Sequence, residues 1–564
     1  MRRLLCLALC LSACTHQQVP TAELILKNGK FHTVDPAKPF ATAVAIDNQC
    51  YVYVGDDDGV EQYVGPGTEL IDLNGAMAMP GINEAHAHPI LGGVETLQCL
   101  FAPSASPDEI KQTLTDCVEN RPNAEWIEGG RWSSGLFEQH DLGNPRLWLD
   151  EISTKHAISL ADDTGHNRWA NSKALQLAEL NQDSVIYGGE LGIRDGELNG
   201  LLYEAAIQPL LRVIPQPGID KLAQAGLASI KTANSFGITG TMEAGDAQEG
   251  VAAYKVLADS GRLTAHLGVA ITVPLLADGQ TLDADLLVKL RQENRGENTY
   301  PDFAKLFLDG VPTTARTAAM IDRYQPQPGD YGPIYGDLLV TPETVTALLT
   351  QLDALGFTTL VHAAGDRSVR VVLDAVEITR EINGRSGLRH QLAHGGFIHP
   401  EDIPRLAELN VTADFSPYLW YPSLIAQNFF AALGPRATRY WPTRELLDAG
   451  AEVVVGSDYP AVLPTMNPWI GLESLVTRAD PYGRIPGTLW PEQAVSLKEA
   501  IHIFTLAGAK ALRLDDQTGS ISVGKYADLI VLNHDLFAIE HEQISLTEVV
   551  TTYFKGDVVY QAQE

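Results

Sequence analysis

The segment MPGINEAHAHP, at residues 79–89, decides the fold of this 564-residue chain. Its apolar first half is typical of a buried β-strand, which we predict for residues 78–88, and it ends in His86-Ala87-His88. Because side chains alternate along a strand, His86 and His88 lie on the same side of it. Two imidazoles at one strand end are potential metal ligands, although such a pair is weak evidence on its own.

Seven more strand patterns follow along the chain, and helical patterns such as residues 342–356 and 400–410 separate most of them. The seven are residues 237–245, 263–271, 302–310, 357–366, 390–396, 411–417 and 452–458. Strands that alternate with helices predict a parallel sheet, and eight such units predict a closed barrel. We therefore predict an α/β fold, a (β/α)8 barrel of the triosephosphate isomerase type over residues 78–512.

Two additions to the barrel are predicted. The interval between the first two strands is too long for one crossover, which indicates an insertion at about residues 95–215, rich in Trp and Gly, over the barrel mouth. Short β-rich runs separated by Asn-Gly and Asp-rich turns occupy residues 22–77 and return at residues 513–564. We expect the two chain ends to build one small β-sandwich together.

The first residues indicate processing rather than structure. Two arginines precede an apolar run at residues 4–11 that is too short to span a bilayer, and LSAC follows, ending at Cys14. This resembles the lipobox of bacterial lipoproteins and predicts a signal peptide at residues 1–13, a lipid on Cys14 and a tether at residues 14–21. An ordinary secretory signal with an incidental cysteine is the alternative. Thr15, where an aspartate would favour retention, favours the outer membrane of the bacterial cell envelope, facing the periplasm.

Composition limits the partners of the chain. Its formal net charge is −31, which argues against nucleic acid, because phosphate contacts need Lys and Arg. Hydrophobic residues make up 45% of the chain and charged residues 20%, a balance typical of a protein with a large buried core. We expect a membrane contact through the N-terminal lipid, and the sequence leaves open whether the protein is a homodimer.

The cysteines beyond the predicted signal leave one pairing open. Cys99 and Cys117 flank a predicted helix, and an oxidising envelope would permit a disulfide between them. Two buried free thiols are the alternative.

Further polar residues fall where the predicted barrel strands end. The fifth strand ends in His362, the sixth in His394 and the eighth in Asp458. Each has an ordinary alternative, a core histidine or a helix-capping aspartate. Barrel active sites lie at the carboxyl ends of the strands, however, and imidazoles that converge with a carboxylate there are typical ligands of Zn²⁺ or a similar divalent metal.

Five segments resemble the successive metal motifs of the amidohydrolase superfamily: MPGINEAHAHP, KLFLDG, LVHAAGD, LAHGG and VVGSDYP. Three more resemble its amidohydrolase-3 branch, which includes N-substituted formamide deformylases: LADDTGHNRWANSKAL, GELNGLLYEAA and DGVPTTARTAAM. The resemblance runs from about residue 22 to the end of the chain.

The resemblance implies one or two divalent ions at the barrel mouth. The ligands that it implies are His86, His88, Lys305, His362, His394 and Asp458. The histidine pair of strand one would share one metal with Asp458, and the other two histidines would hold a second. Lys305 would be N-carboxylated by CO₂, and this carbamate would bridge both ions. A lysine paired with a carboxylate is the alternative for Lys305.

Two departures from the family pattern concern residues beside these ligands. Glu84 stands where the family usually has Asp, and Ala393 stands where Glu is common before the strand-six histidine. Neither position is a metal ligand, so the departures put the orientation of the ligands in doubt rather than metal binding.

The resemblance also implies a mechanism. Metal-activated water attacks a carbonyl, and Asp458 carries the proton to the leaving group. His166 would contact the substrate or its oxyanion, or would be a structural loop histidine. Arg316 would meet a substrate carboxylate, or would pair with an acid nearby. Trp169 is a candidate lining residue of the substrate pocket, as are Tyr418, Trp420 and Trp441, although loop aromatics often only pack.

The predicted function is metal-dependent hydrolysis of an amide-type C–N bond, other than a peptide bond, in a small-molecule substrate. Lactone or ester hydrolysis and deamination are alternatives on the same site. An inactive metal-binding envelope lipoprotein is the alternative from another class.

Overall fold

The computed structural model describes residues 21–96, 98–133, 136–162, 167–186, 189–274, 281–313, 316–327, 330–461 and 463–563. Cys14 and His166 lie outside these residues, and so do the predicted signal peptide and most of the tether. Within the described part of the chain, no helix has the length and apolarity that a membrane crossing requires.

The strands of the described chain fall into four sheets. They are β1 (Leu24–Lys27), β2 (Lys30–His32), β3 (Phe40–Ala41), β4 (Ala43–Asp47), β5 (Cys50–Gly55), β6 (Glu69–Asp72), β7 (Met77–Pro80), β8 (Ile82–Ala87), β9 (Cys99–Leu100), β10 (Trp126–Trp132), β11 (Ala157–Asp162), β12 (Asn167–Ala170), β13 (Gly189–Arg194), β14 (Glu197–Glu204), β15 (Ile238–Asp246), β16 (His266–Thr272), β17 (Thr299–Phe307), β18 (Thr358–His362), β19 (Gln391–Ala393), β20 (Thr412–Phe415), β21 (Val453–Val455), β22 (Leu529–Leu532), β23 (Val549–Phe554) and β24 (Asp557–Gln561).

The α-helices connect these strands and cover the outside of the largest sheet. They are α1 (Asp57–Val60), α2 (Pro89–Thr96), α3 (Pro107–Asn120), α4 (Leu136–Gln139), α5 (Pro145–Ile152), α6 (Ser172–Leu177), α7 (Gln208–Val213), α8 (Ile219–Ser235), α9 (Gln248–Asp259), α10 (Ala284–Asn294), α11 (Pro342–Ala354), α12 (Asp366–Asn383), α13 (Ile403–Leu409), α14 (Leu424–Leu433), α15 (Thr443–Asp448), α16 (Pro468–Thr477), α17 (Leu497–His502) and α18 (Gly508–Ala511).

Eight parallel strands form the central barrel, in the order β21-β20-β19-β18-β17-β16-β15-β8. Each neighbours the next one in the chain, and long helices such as α11 and α12 pack outside between them. This is the predicted (β/α)8 barrel, so the fold class is confirmed. Its wall is apolar on the helix-facing side, with residues such as Val361 and Val455 fully buried.

The first predicted strand needs a correction. Residues 78–88 do not form one strand, because β7 belongs to a sheet at the chain ends and only β8 belongs to the barrel. The chain changes sheets at Gly81, where a Cβ atom would lie 2.1 Å from the Thr239 hydroxyl oxygen. Both strands are fully buried, so apolar residues continue across the division and do not show that two sheets are involved.

The first and last barrel strands meet at a seam, which we define as the junction between the end of β8 and the residues that follow β21. The Asp458 amide donates to the His86 carbonyl oxygen at 2.8 Å, and the His88 amide donates to the Tyr459 carbonyl oxygen at 2.7 Å. The Ser457 amide donates to a carboxylate oxygen of Glu84 at 2.8 Å. These bonds close the barrel at the strand ends that carry predicted ligands.

The chain ends build a sandwich of two sheets, ordered β5-β4-β1-β6 and β24-β23-β22-β7-β2-β3. Strand β7 is the link, because it pairs with β2 on one side and antiparallel with β22 on the other, Ala78 opposite Val531. Leu26 and Phe31 share one buried core with Val531 between the sheets. The predicted sandwich is therefore present, made from both ends of the chain.

The segment between β8 and β15 contains a separate mixed sheet, ordered β13-β14-β12-β11-β10-β9. Its core is aromatic, with Trp169 packed against Trp148 and Phe137 at ring-centroid distances of 5.2 and 4.9 Å. This is the predicted insertion, with a hydrophobic core of its own.

A disulfide joins Cys99 and Cys117, whose Cα atoms are 6.1 Å apart. It links β9 to α3 and so fixes the edge of the insertion sheet, because β9 pairs with Gly129 and Gly130 of β10. Cys50 is the free cysteine of the described residues.

The Cys99→Ala/Cys117→Ala double variant is expected to lower the free energy of unfolding of the insertion by about 3 kcal/mol, the scale for a cross-link over a loop of this length. Amide exchange of β10, followed by mass spectrometry, measures the effect. Cys50→Ala is the matched control and should leave that exchange unchanged. Equal protection of β10 in the parent and the double variant would contradict the prediction.

Candidate metal centre

His86 lies at the end of β8 in a fully buried position between a carboxylate and an amine. Its Nδ1 is 2.5 Å from Oδ2 of Asp414, and its Nε2 is 3.3 Å from Nζ of Lys305. Burial, followed by the charge of Lys305, holds the pKa of His86 well below its usual value, so the ring is neutral. With a proton on Nδ1 donated to Asp414, Nε2 has a lone pair for a metal.

His88 directly follows β8 and, like His86, has a carboxylate beside its Nδ1. Its Nδ1 lies 3.1 Å from Oε1 of Glu243, whose other oxygen accepts the Tyr254 hydroxyl at 2.6 Å. Its Nε2 lies 3.6 Å from Oδ1 of Asp458. Burial opposes a charge on His88, but Asp458 and Glu243 outweigh it and raise the pKa to about 9. The two carboxylates therefore favour a positive charge at the position of His88.

Asp458 faces three of the predicted histidines from the end of the eighth strand. Its carboxylate oxygens lie 3.7 Å from Nε2 of His86 and 3.9 Å from Nδ1 of His394. Although burial raises the pKa of Asp458, the neighbouring histidines hold it well below the usual range, so the group is ionised. Asp458 and His394 both have left-handed backbones, with φ of 56° and 64°. Such conformations are costly and often mark functional positions.

Lys305 projects into the same space from β17 and is 1% exposed. Burial lowers the pKa of its ammonium to about 8, against the opposing effect of the surrounding carboxylates. A neutral amine is the form that reacts with CO₂, so this environment fits the implied carbamate. The space is tight on one side, because a Cβ on Gly245 would lie 2.9 Å from Cγ of Lys305.

His362 and His394 complete the ring of predicted ligands. Their ring centroids are 4.6 Å apart, and those of His394 and His86 are also 4.6 Å apart. Nε2 of His362 lies 3.1 Å from the Gly310 carbonyl oxygen, which fixes its proton there and leaves Nδ1 as the acceptor. Burial lowers the pKa of both rings, so both are neutral. The pair can hold a second ion beside Lys305.

The two departures from the family pattern have local explanations. The Glu84 carboxylate accepts from the His86 amide at 3.1 Å and from Ser457 across the seam. Burial raises the pKa of Glu84 to about 8. Ala393 pairs in register with Asp414 on the next strand, and that carboxylate serves His86. Ala393 thus places no acid directly before His394, and the acid on the neighbouring strand contacts His86.

Glu243 and Asp414 are the site residues that the sequence analysis missed. Both are buried acids at the ends of barrel strands, β15 and β20, in the segments MEAGD and TADFSP. Their position at strand ends was the available signal. The sequence does not show which histidine each acid contacts, because that depends on which strands lie close together in the barrel.

Of the predicted substrate contacts, His166 lies outside the described residues, and Arg316 and Trp169 have partners within the protein. Arg316 forms a bidentate pair with Asp330 at 2.7 Å for both bonds, the second of its two alternatives. Trp169 is fully buried in the insertion, and its indole donates to the Pro145 carbonyl oxygen at 2.9 Å. Tyr418, Trp420 and Trp441 are buried as well.

The donor set fits a divalent metal. One nitrogen each from His86 and His88 and one oxygen from Asp458 lie within 4.8 Å of one another. Metal binding needs neutral imidazoles and an ionised carboxylate, so an ion at this site would displace the proton that the raised pKa of His88 retains. Carboxylates on the far nitrogens of both strand-one histidines are the usual orienting partners of zinc-ligating imidazoles. This combination of imidazole nitrogens and a carboxylate oxygen suits Zn²⁺ and similar ions.

The chain is similar to known proteins over most of its length. It is 27% identical to Protein LONG AFTER FAR-RED 3 of Arabidopsis thaliana, covering 96% of this chain and 92% of that protein. It is 26% identical to the N-substituted formamide deformylase of Arthrobacter pascens, covering 96% of this chain and 98% of the relative. The structure of an uncharacterized metal-dependent hydrolase from Pyrococcus horikoshii has the same fold, with a TM-score of 0.73 at 21% identity over 92% of this chain and 99% of that one.

A family model described as the amidohydrolase family matches residues 69–560, which include every predicted ligand and run from the last strand of the first end sheet to the last strand of the second. The predicted resemblance is confirmed by this match. The chain belongs to the amidohydrolase family.

Proposed function

We propose that this protein is a metal-dependent hydrolase that cleaves an amide-type C–N bond, other than a peptide bond, in a small molecule. The observation that carries the proposal is the group formed by His86, His88 and Asp458, with Lys305 next to it, at the mouth of the barrel. Two imidazoles and a carboxylate converge there with a buried lysine, and each strand-one histidine has its own carboxylate partner.

A divalent ion bound by these side chains would polarise a carbonyl and lower the pKa of a water molecule to about 7. Asp458 is the proton carrier, because it is ionised and faces the ring of histidines. It accepts the proton of the attacking water and delivers it to the leaving nitrogen, which cannot depart as an amide anion. His362 and His394 stay neutral and would hold a second ion, and a carbamate on Lys305 would supply further ligand oxygens.

The leaving group and the relatives support the proposed substrate class. An amine needs a proton to leave, and the buried Asp458 is placed to supply it. One relative over nearly the whole chain is named a formamide deformylase, so N-formyl amines are the first compounds to test. Lactone or ester hydrolysis and deamination remain alternatives for the same residues, since imidazolonepropionases and a deaminase also match part of the chain.

A panel of N-formyl amines, N-acyl amino acids, dipeptides and lactones tests the proposal with metal-replete protein. We expect release of an amine from one of the first two groups, loss of turnover after chelation and recovery with added Zn²⁺ or Mn²⁺. Hydrolysis of the lactones alone would replace the C–N assignment by the ester alternative. Stoichiometric metal binding without turnover of any compound would favour the inactive metal-binding lipoprotein.

We also propose that Cys14 carries a lipid that anchors the protein to the outer membrane, facing the periplasm. The support is the LSAC segment after a basic and apolar start, with Thr15 as the next residue. Cys14→Ser is expected to move the protein from the membrane fraction to the soluble envelope fraction, and fractionation followed by immunoblotting measures this. Cys50→Ser is the control and should stay with the membrane. A Cys14→Ser protein that sediments with membranes like the parent would refute the anchor.

A further inference from the structure

Arg131 has an unusual backbone position within the insertion sheet. Its φ is 77°, in the left-handed region that side chains other than glycine rarely adopt. It lies at a bulge in β10, where the register with β11 shifts between Gly130 and Trp132. A bulge of this kind redirects one side chain out of the alternation of the strand. Arg131 is the side chain that this bulge redirects.

The redirected guanidinium contacts the barrel instead of its own sheet. Its Nη2 donates to Oε2 of Glu95 at 2.5 Å and to the Pro460 carbonyl oxygen at 2.9 Å. The side chains of Arg131 and Glu95 are 14% and 22% exposed, so the pair is largely withdrawn from solvent. Partial burial makes these bonds stronger than those of a surface ion pair, which water and salt screen.

The two partners of Arg131 lie on opposite sides of the seam. Glu95 is in α2, directly after the strand that carries His86 and His88, and Pro460 is two residues after Asp458. The seam is tightly packed at this point, because a Cβ on Gly92 would lie 1.9 Å from Cε1 of Tyr459. One nitrogen of the insertion thus bridges the two segments that hold the three ligands of the first metal.

We propose that Arg131 is a positioning residue, which clamps the seam and thereby sets the distance between the strand-one histidines and Asp458. The inference rests on the proposed metal-dependent function, and it adds a role for the insertion in building the metal site. The regular strand ladder ends at β21 and β8, so the backbone bonds of the seam and the Arg131 bridge together restrain these two segments. Ligand geometry at the seam depends on the few bonds there and on the arginine above them.

Arg131→Met tests the clamp, since methionine keeps much of the apolar stem and removes the guanidinium. We expect metal affinity to fall about 10-fold, the lower end of the 10- to 100-fold loss that follows removal of a direct partner of a metal ligand, because Arg131 acts through the seam. We also expect faster amide exchange in residues 456–461, where the Asp458 amide bonds across the seam, and no change in β18 on the far side of the barrel. Once a substrate is identified, kcat should fall by a larger factor than the factor by which KM rises.

Arg146→Met is the matched control. Arg146 belongs to the same insertion, and its described side-chain partners, Glu197 at 2.8 Å and the Ser172 hydroxyl, are also in the insertion. It should leave metal affinity and seam exchange unchanged. Arg131→Lys keeps the charge with a single donor group, and we expect its metal affinity to lie between those of the parent and Arg131→Met. If Arg131→Met does not fold, Arg131→Lys against Arg146→Lys is the deciding pair.

Parent-like metal affinity and parent-like exchange at residues 456–461 in Arg131→Met would overturn the clamp. Equal losses in Arg131→Met and Arg146→Met would do the same, because they would show a general effect of disturbing the insertion. Titration of Zn²⁺ into metal-free protein requires no substrate. A failed search for hydrolytic activity would therefore count against the proposed function and leave the clamp to its own result.

Discussion

Asp458→Asn is expected to lower kcat by about 10²–10⁴-fold, the usual contribution of a positioned proton carrier, while part of the bound metal remains. Asparagine keeps the size of the side chain and one ligand oxygen but cannot accept the proton of the attacking water. The carboxylate lies within 3.7 Å of Nε2 of His86 and within 3.6 Å of Nε2 of His88, so its loss also weakens the first metal site. Turnover and metal content, measured on the same preparation, separate the two effects.

Asp374→Asn is the control for this substitution. Asp374 lies on α12, is 55% exposed and pairs with Arg405, which is not a predicted ligand. It should keep both turnover and metal. If Asp458→Asn retains more than a tenth of the parent kcat, another group carries the proton, and the assignment of Asp458 fails.

Lys305→Ala is expected to be inactive and to bind less metal, because the implied carbamate supplies the oxygens between the two ions. Alanine leaves a space at the buried end of β17, next to Nε2 of His86. Short carboxylic acids such as acetate or propionate should enter this space and restore part of the turnover. Lys305→Arg should not be rescued, because its fixed positive charge occupies the space and repels the ions.

Lys510→Ala provides the comparison for Lys305→Ala. Lys510 lies on α18, and its described ion-pair partner is Glu452 at 2.8 Å rather than a predicted ligand, so its loss should leave activity and metal content unchanged. Full activity and full metal content in Lys305→Ala would exclude the bridging carbamate. A centre of histidines and Asp458 alone would then describe the protein better.

The barrel was predictable because its signals are local. Each strand is a short apolar run with a helical pattern or a turn after it, and the polar residues that matter follow those runs directly. The first strand shows the limit of this reasoning. Pro80 and Gly81 interrupt one apolar run, but the run itself does not show that β7 and β8 belong to different sheets.

The partners of the ligands could not be predicted from the sequence, for a different reason. Asp414 meets His86 only when the barrel closes, whereas Glu243 meets His88 through the pairing of β15 with β8. Both contacts depend on the tertiary arrangement of the strands. Arg131 is harder still, since its contact with Pro460 requires a bulge in one sheet and the docking of that sheet on another. For Arg316 the sequence left two partners open, and the structure shows the second, a nearby acid.

The pairing of β7 with β22 has a consequence for the order in which the chain folds. Every predicted metal ligand lies before residue 459, but the strand that leads into the barrel finds its antiparallel neighbour only at Leu529–Leu532. Contacts between such distant segments form late, since a long loop must close first. Until then the edge of β7 has no partner, and unpaired strand edges promote aggregation. A nascent or truncated chain that ends before β22 would thus hold the whole ligand set and still depend on chaperones to stay in solution.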